Sequence, residues 1–471
     1  MAKIQNKSFA SSKSSRMKKK QKIFSHQKHS KFPNKIDSEV SSDDELDYDE
    51  INNFSEEKRP IDQNQEEEFD ESPQEKKIRL AKEYLAQLET HDSLKNETND
   101  NSLDHSNLIS NHLKDILLEK KGKLHRNHAD RISTKDDIII MKNGHRKSIT
   151  ALALSYDGRF VFTASKDCYI VKWDCECGKK LLKVNVYDEF NNDIKSTSIN
   201  VKKNGPINAL ALSSDYKFLA SGFSLSILIW NPDSLKIIHT FSGHRDAVTG
   251  LVFRRSFHQL FSCSKDRMIK VWNLDEMNYS ESLLGHHDCI TAIDAYVNEK
   301  CLTSGGRDGT IRLWKIPEES NLIYLADKIS TIDCVKMIND NHFISASDDG
   351  SISLWSTNKK KPLTTVFNAH GDGFWITSLA CIKNSDLFAS GSYNGEIIFW
   401  KIHACYKKIE KKMVYQIEGF VNGMEFDQEC RFLVAAISQE HRLGRWFDRN
   451  IKAKNVVHII PILLNDDQKS I

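Results

Sequence analysis

Tryptophan returns along this chain at nearly constant intervals: Trp173, Trp230, Trp272, Trp314, Trp355, Trp400 and Trp446, with gaps of 57, 42, 42, 41, 45 and 46 residues. Each closes a short alternating run. In SGGRDGTIRLWKIP at 304–317, a tight Asp308-Gly309 turn leads into a strand ending on Trp314. A unit of about 40–45 residues with a terminal Trp is the mark of a four-stranded blade that packs radially against its copies. Seven anchors predict an all-β, seven-bladed β-propeller over 136–464.

Such a ring takes up about 300 residues, and the rest lies upstream, where composition changes. The formal net charge of +2 hides a strong segregation. Residues 1–36 hold eleven Lys/Arg and no acid, whereas 37–71 hold sixteen Asp/Glu against Lys58 and Arg59. Blocks of like charge with few large apolar residues bury too little surface to offset chain entropy, so 1–71 is expected to be a disordered tail, basic and then acidic. Lys18, Lys19, Lys20 and Lys22 form a nuclear-import candidate, with a nucleic-acid arm or a plain solvated tail as the other readings.

Residues 72–130 read as a helical extension with a polar linker. Ser72-Pro73-Gln74-Glu75 combines a capping serine, a first-turn proline and a glutamate three residues after the cap. Ile78, Ala81, Leu85 and Leu88 then share one face of a helix over 73–89, and a second helical pattern runs through Leu108, Ile109, Leu113, Ile116 and Leu117. The strand pattern at 136–141 is expected to complete the last blade and close the ring. The apolar run VVHIIPILL at 456–464 is the less favoured candidate for that closure. Residues 188–204 are expected to be an inserted polar, mobile loop, and 465–471 a C-terminal tail.

No apolar run reaches the length of a membrane span, and no hydrophobic signal segment follows Met1. The ten cysteines are scattered, and Cys175-x-Cys177 has no second pair to complete a zinc site. No metal, cofactor or small-molecule substrate is called for.

Ser, His and Asp recur together, which invites a search for a catalytic triad. Residues His145, Ser165, Asp167 and Trp173 reappear as His244, Ser264, Asp266 and Trp272. Blade four has His286, Asp308 and Trp314 with Gly306 at the serine position. An enzyme needs one reactive constellation; a set that returns at blade spacing and decays from blade to blade is a buried hydrogen-bond network. No phosphate loop and no His-Glu-x-x-His motif accompanies it. The expectation is a binder, not an enzyme.

Blade-opening loops and the turns between second and third strands project on one rim, so their residues can be compared. Cations stand there at Arg146, Lys166, Arg245, Lys265, Arg267 and Arg307, with Arg442 and Arg445 from blade seven. They form a candidate nucleic-acid-binding arc over blades one, three, four and seven, broken by Asp348-Asp349 in blade five, with a mixed solvated rim or a protein-binding rim as the other readings. Trp375 either stacks on a base or covers the start of a strand.

Five segments carry more than periodicity: SPQEKKIRLAKEYLAQLE at 72–89, SGHRDAVTGLVFRR at 242–255, GGRDGTIRLWKIPEES at 305–320, FWITS at 374–378 and QEHRLGRW at 439–446. Together they resemble the WD-repeat family of the U3 small nucleolar ribonucleoprotein. The resemblance implies a seven-bladed WD40 β-propeller that serves as a non-catalytic nucleolar subunit. It also implies binding to the box B/C region of U3 small nucleolar RNA beside a small kink-turn-binding protein. Other small-subunit processome proteins are the remaining expected partners, and pre-ribosomal RNA processing is the expected role. The insert at 188–204 and Phe447 after Trp446 depart from the family pattern. The alternative is a protein-only scaffold, such as a ubiquitin-ligase receptor or a chromatin adaptor. Against the ligase role, Trp173-Asp174 is followed by Cys175-Glu176 and not by the arginine that such receptors carry.

Overall fold

The computed structural model describes Lys114, Leu118 and residues 124–134, 138–193, 205–326, 330–444 and 450–464. The import candidate, the charged tail and the helix over 73–89 lie outside the described residues, as do Arg445, Trp446 and the 465–471 tail.

Seven antiparallel sheets follow one another along the chain. Blade one is built from Ile149–Leu154, Phe160–Ser165, Tyr169–Asp174 and Lys180–Asn185. Five further four-stranded meanders repeat the plan up to Ile409–Gln416. These strands are short, β-branched and bounded by tight turns, which suits a pleated surface packed on both faces. The first strand of each blade lies innermost and packs on that of the next, and Phe420–Phe426 of blade seven packs back on Ile149–Leu154.

Both closure candidates take part in closing the ring. Val456–Leu464 is the third strand of blade seven, paired with Phe432–Ser438, and Ile132–Thr134 and Ile139–Met141 pair on its outer side. The N-terminal strand therefore completes the last blade as its fourth strand. The choice between the two segments was a false one.

The same register corrects the seventh anchor. In six blades Trp pairs with one position of the second strand: Val161 with Trp173, Leu219 with Trp230, Leu260 with Trp272, Cys301 with Trp314, Phe343 with Trp355 and Phe388 with Trp400. In blade seven the matching pair is Leu433 with Ile460. Position 446 falls between the second and third strands, and its near-regular spacing comes from an insertion over 439–455.

Upstream of blade seven's outer strand, a strap crosses the face opposite the predicted rim. Its Arg126 amide donates to the Asn384 carbonyl at 2.8 Å, and the amides of His128 and Ala129 both donate to the Asp386 carboxylate. Ala129 is buried in the core shared by blades six and seven.

The insert after blade one begins as a helix, α1 (Val186–Asp193), where a polar mobile loop was expected. Val186 and Phe190 are buried, and the Phe190 ring lies 6.1 Å from that of Phe223 in the turn of blade two. Blade two has neither the opening histidine nor the turn aspartate, and this apolar pair fills that place.

Candidate nucleic-acid interface

A polar network fixes the rim from below. In blade three, His244 Nδ1 bonds the Asp266 carboxylate at 2.9 Å and His244 Nε2 bonds Ser262 Oγ at 2.8 Å. Trp272 Nε1–H donates to the same hydroxyl at 2.9 Å. Blade four repeats this with His286, Asp308, Thr303 and Trp314. Blade one does so with His145, Thr163 and Trp173, the Asp167 carboxylate standing 3.5 Å from His145 Nδ1.

The bridging hydroxyl is thus two residues before the serine expected in blades one and three. Strand alternation explains the correction: Thr163 and Ser262 share the Trp-facing side, whereas the next such position, Ser165 or Ser264, is the last of its strand and bonds the turn or the rim loop instead. Ser165 Oγ–H donates to Asp167 and Ser264 Oγ–H to the Asp246 carbonyl. Blade four's turn is one residue longer. Gly305 there takes the register place of Ser264, with Gly306 as the added residue. Hydroxyls at Ser221, Ser345 and Ser390 serve Trp230, Trp355 and Trp400 in the remaining blades.

The aspartates also hold the rim loops. The Arg146 amide donates to Asp167, the Arg245 amide to Asp266 and the His287 amide to Asp308. Burial opposes ionisation of Asp308, but bonds from His286 and Thr310 outweigh it and set its pKa at about 2. Burial likewise opposes ionisation of Asp167, and the nearby His145 and bonds from Ser165 and the Arg146 amide hold it below the usual carboxylate range. Burial lowers the pKa of His244 despite its aspartate, so its imidazole is neutral at pH 7.

Above this network Arg146, Arg245, Lys265, Arg267 and Arg307 are all exposed. Arg245, Lys265 and Arg267 line one groove at the junction of blades three and four, together with Asp246, Asp266, Leu284 and His286. Arg307 stands beside it. Burial and Asp288 push the Cys289 thiol up, and Lys265 and Arg307 both oppose that rise. On its other side Arg307 faces Asp348 and Asp349. Arg267 has a left-handed backbone, φ 69°, where blades four, five and six place Gly309, Gly350 and Gly395. A side chain at such a position costs about 1 kcal/mol, and blade one bears the same cost at Cys168, φ 65°.

The other cations of the expected arc are separated or engaged. Blade two, roofed by α1 with Asp188 and Glu189 in its first turn, separates Arg146 and Lys166 from blade three. Lys166 Nζ donates to the His441 carbonyl at 2.6 Å. Arg442 is not an exposed rim cation. Its amide is held by Asn422 Oδ1 at 3.1 Å, which turns the side chain into the mouth of the central channel toward the Asp333 carbonyl, 3.4 Å away. Trp375 is engaged too, its Nε1–H donating to the Asp333 carboxylate and its ring lying 4.8 Å from His441.

Among the described residues no cluster of three or more His, Cys, Asp or Glu could hold a metal ion, and no helix is long and apolar enough to cross a membrane.

The family model "WD domain, G-beta repeat" matches residues 138–174, 235–273, 278–315, 327–356 and 360–401. These segments include the Trp strands of blades one, three, four, five and six, and none includes the Trp strand of blade two or the third strand of blade seven. The chain is 45% identical over 405 residues to human "U3 small nucleolar RNA-interacting protein 2", covering 84% of this chain and 83% of that one. It is 28% identical over 516 residues to "Ribosomal RNA-processing protein 9" of Saccharomyces cerevisiae, covering 83% and 90%. The solved structure "Crystal structure of RRP9 WD40 repeats" superposes with a TM-score of 0.65 at 42% identity, covering 70% of this chain and all of that one. The chain accordingly belongs to the WD40-repeat family of U3 small nucleolar RNA-interacting protein 2.

Proposed function

We propose that the protein is a non-catalytic subunit of the U3 small nucleolar ribonucleoprotein that binds U3 RNA and acts in pre-ribosomal RNA processing in the nucleolus. Within that role, its RNA target is the box B/C region, read on a surface shared with a kink-turn-binding protein. Other processome proteins contact the rest of the chain.

The observation that carries the RNA contact is the gathering of Arg245, Lys265 and Arg267 in one exposed groove with Arg307 beside it. Planar guanidinium groups match phosphate oxygens in pairs, and neutralising several phosphates releases counterions, so affinity falls steeply with salt. The network below holds those cations in register: the Asp266 carboxylate binds the Arg245 amide, and its own turn carries Lys265 and Arg267. Family membership, with relatives named for U3 RNA interaction and ribosomal RNA processing, supports the choice of RNA.

The test is recovery of U3 RNA with the full chain carrying Arg245→Glu, Lys265→Glu and Arg307→Glu together. U3 recovery is expected to be lost with the melting temperature unchanged, since all three side chains are exposed. Full recovery would refute the surface assignment. Partners that survive nuclease treatment while no RNA co-purifies would favour a protein-only scaffold.

A further inference from the structure

The channel's upper mouth is ringed by the second core position of each innermost strand. At six of the seven positions a side-chain donor stitches one blade to the next. Thr150, Thr249, Thr291 and Thr377 donate through their hydroxyls to Ile207, Ile290, Ile332 and Val421 carbonyls, and Asn208 and Asn422 donate to those of Val248 and Ile149. Blade five has Asp333 at this position. It is 4% exposed, and burial, only partly offset by Arg442 and Trp375, raises its pKa to about 7.

Asp333 accepts from Trp375 of blade six, and the Trp375 ring packs on His441 of the blade-seven insertion. The insertion is held on its far side as well. Lys166 binds the His441 carbonyl, Asn422 Nδ2 binds the Glu440 carbonyl at 3.0 Å, and Asn455 Nδ2 reaches the Arg146 carbonyl at 3.1 Å. Trp375 of FWITS and His441 of QEHRLGRW therefore meet at one point at the mouth.

We propose that Asp333 and Trp375 form a latch that holds residues 439–444 of blade seven at the channel's upper mouth and so positions the rim beside them for RNA. Asp333 keeps the link to blade six but as an acceptor, taking the Trp375 N–H where the other positions donate to a carbonyl. Arg442 serves the same end, since its side chain fills the mouth from the latched segment. The positioning role rests on the RNA-binding reading above; the latch itself does not.

Limited trypsin digestion of the full chain, with mass spectrometry reading cleavage after Arg442, tests the latch without RNA. Trp375→Phe keeps a ring against His441 but removes the N–H, and should speed that cleavage about fivefold, the worth of one buried hydrogen bond. Asp333→Asn keeps an acceptor oxygen and should cleave at the wild-type rate. Unchanged cleavage in Trp375→Phe, or cleavage in Asp333→Asn as fast as in Trp375→Phe, would overturn the latch.

U3 RNA titrations at several salt concentrations then test positioning. Trp375→Phe should weaken binding with the salt slope unchanged, whereas Arg245→Ala should reduce the slope by about one. Faster cleavage with undiminished affinity, or a reduced slope in Trp375→Phe, would overturn the positioning role. Absence of U3 binding by the wild-type chain would instead overturn the function proposed above.

Discussion

Blades three and two solve one packing problem with different chemistry. In blade three, His244 and Trp272 share the Ser262 hydroxyl, and Asp266 ties the histidine to the loop above it. In blade two, the Trp230 indole still donates to Ser221, but Phe190 from α1 lies against Phe223 where the histidine and aspartate would be. The polar version leaves its turn open to solvent and lets it present Lys265 and Arg267. The apolar version has Ser224 and the exposed Leu225 in its turn, and so offers no cation on that part of the rim. The choice of filling thus decides which sectors of the disc can meet a charged ligand.

The comparison breaks most sharply at Phe190. This side chain is 2% exposed and its removal leaves a cavity, so Phe190→Ala should destabilise the fold by about 3–5 kcal/mol, measured by denaturant unfolding. A loss below about 1 kcal/mol would mean that blade two does not lean on the helix.

The polar network yields a smaller effect with a sharper address. Ser262→Ala strands the His244 Nε2 acceptor and the Trp272 donor and should cost about 1–3 kcal/mol. Ser264→Ala removes part-buried bonds to the Asp246 carbonyl and from the Asp266 amide, strands no core ring, and should cost less. Equal losses would put the bridging hydroxyl back at the position first expected.

Acid titration distinguishes the two fillings next. The folded-state pKa of Asp308, about 2, lies below its ordinary 3.8. The stability it contributes is complete above that ordinary value and is lost as pH falls through the folded one. Asp308→Asn should therefore flatten the pH dependence of stability between about 4 and 2. The same scan on Phe190→Ala should keep the wild-type shape at lower overall stability.

Much of this was legible because the repeat is periodic. The Trp spacing located six blades, and Asp, His and Trp of blades one, three and four were read at their true positions. The bridging hydroxyl was missed because Ser165 and Ser264 are nearer the turn and equally conspicuous, while strand alternation favours Thr163 and Ser262. Blade seven misled because an insertion carries Trp446 to a spacing that fits the repeat, while Ile460, which holds the anchor's register place, has no indole to announce it. Asp333 gave no local sign of its role. Only closure of the ring reveals that it stands where six other blades place a donor. Arg442 looked like a rim cation because its neighbours in sequence are basic. What turns it inward is Asn422, 20 residues away, a contact that sequence spacing does not disclose.

The central claim is that exposed cations of blades three and four neutralise RNA phosphates. Its most direct measurement is the slope of log affinity against log salt for U3 RNA, in wild type and in the chain carrying Arg245→Ala, Lys265→Ala and Arg307→Ala. The account predicts a steep wild-type slope that falls by about three in the variant, one for each phosphate contact removed. An unchanged slope, with affinity intact, would contradict it.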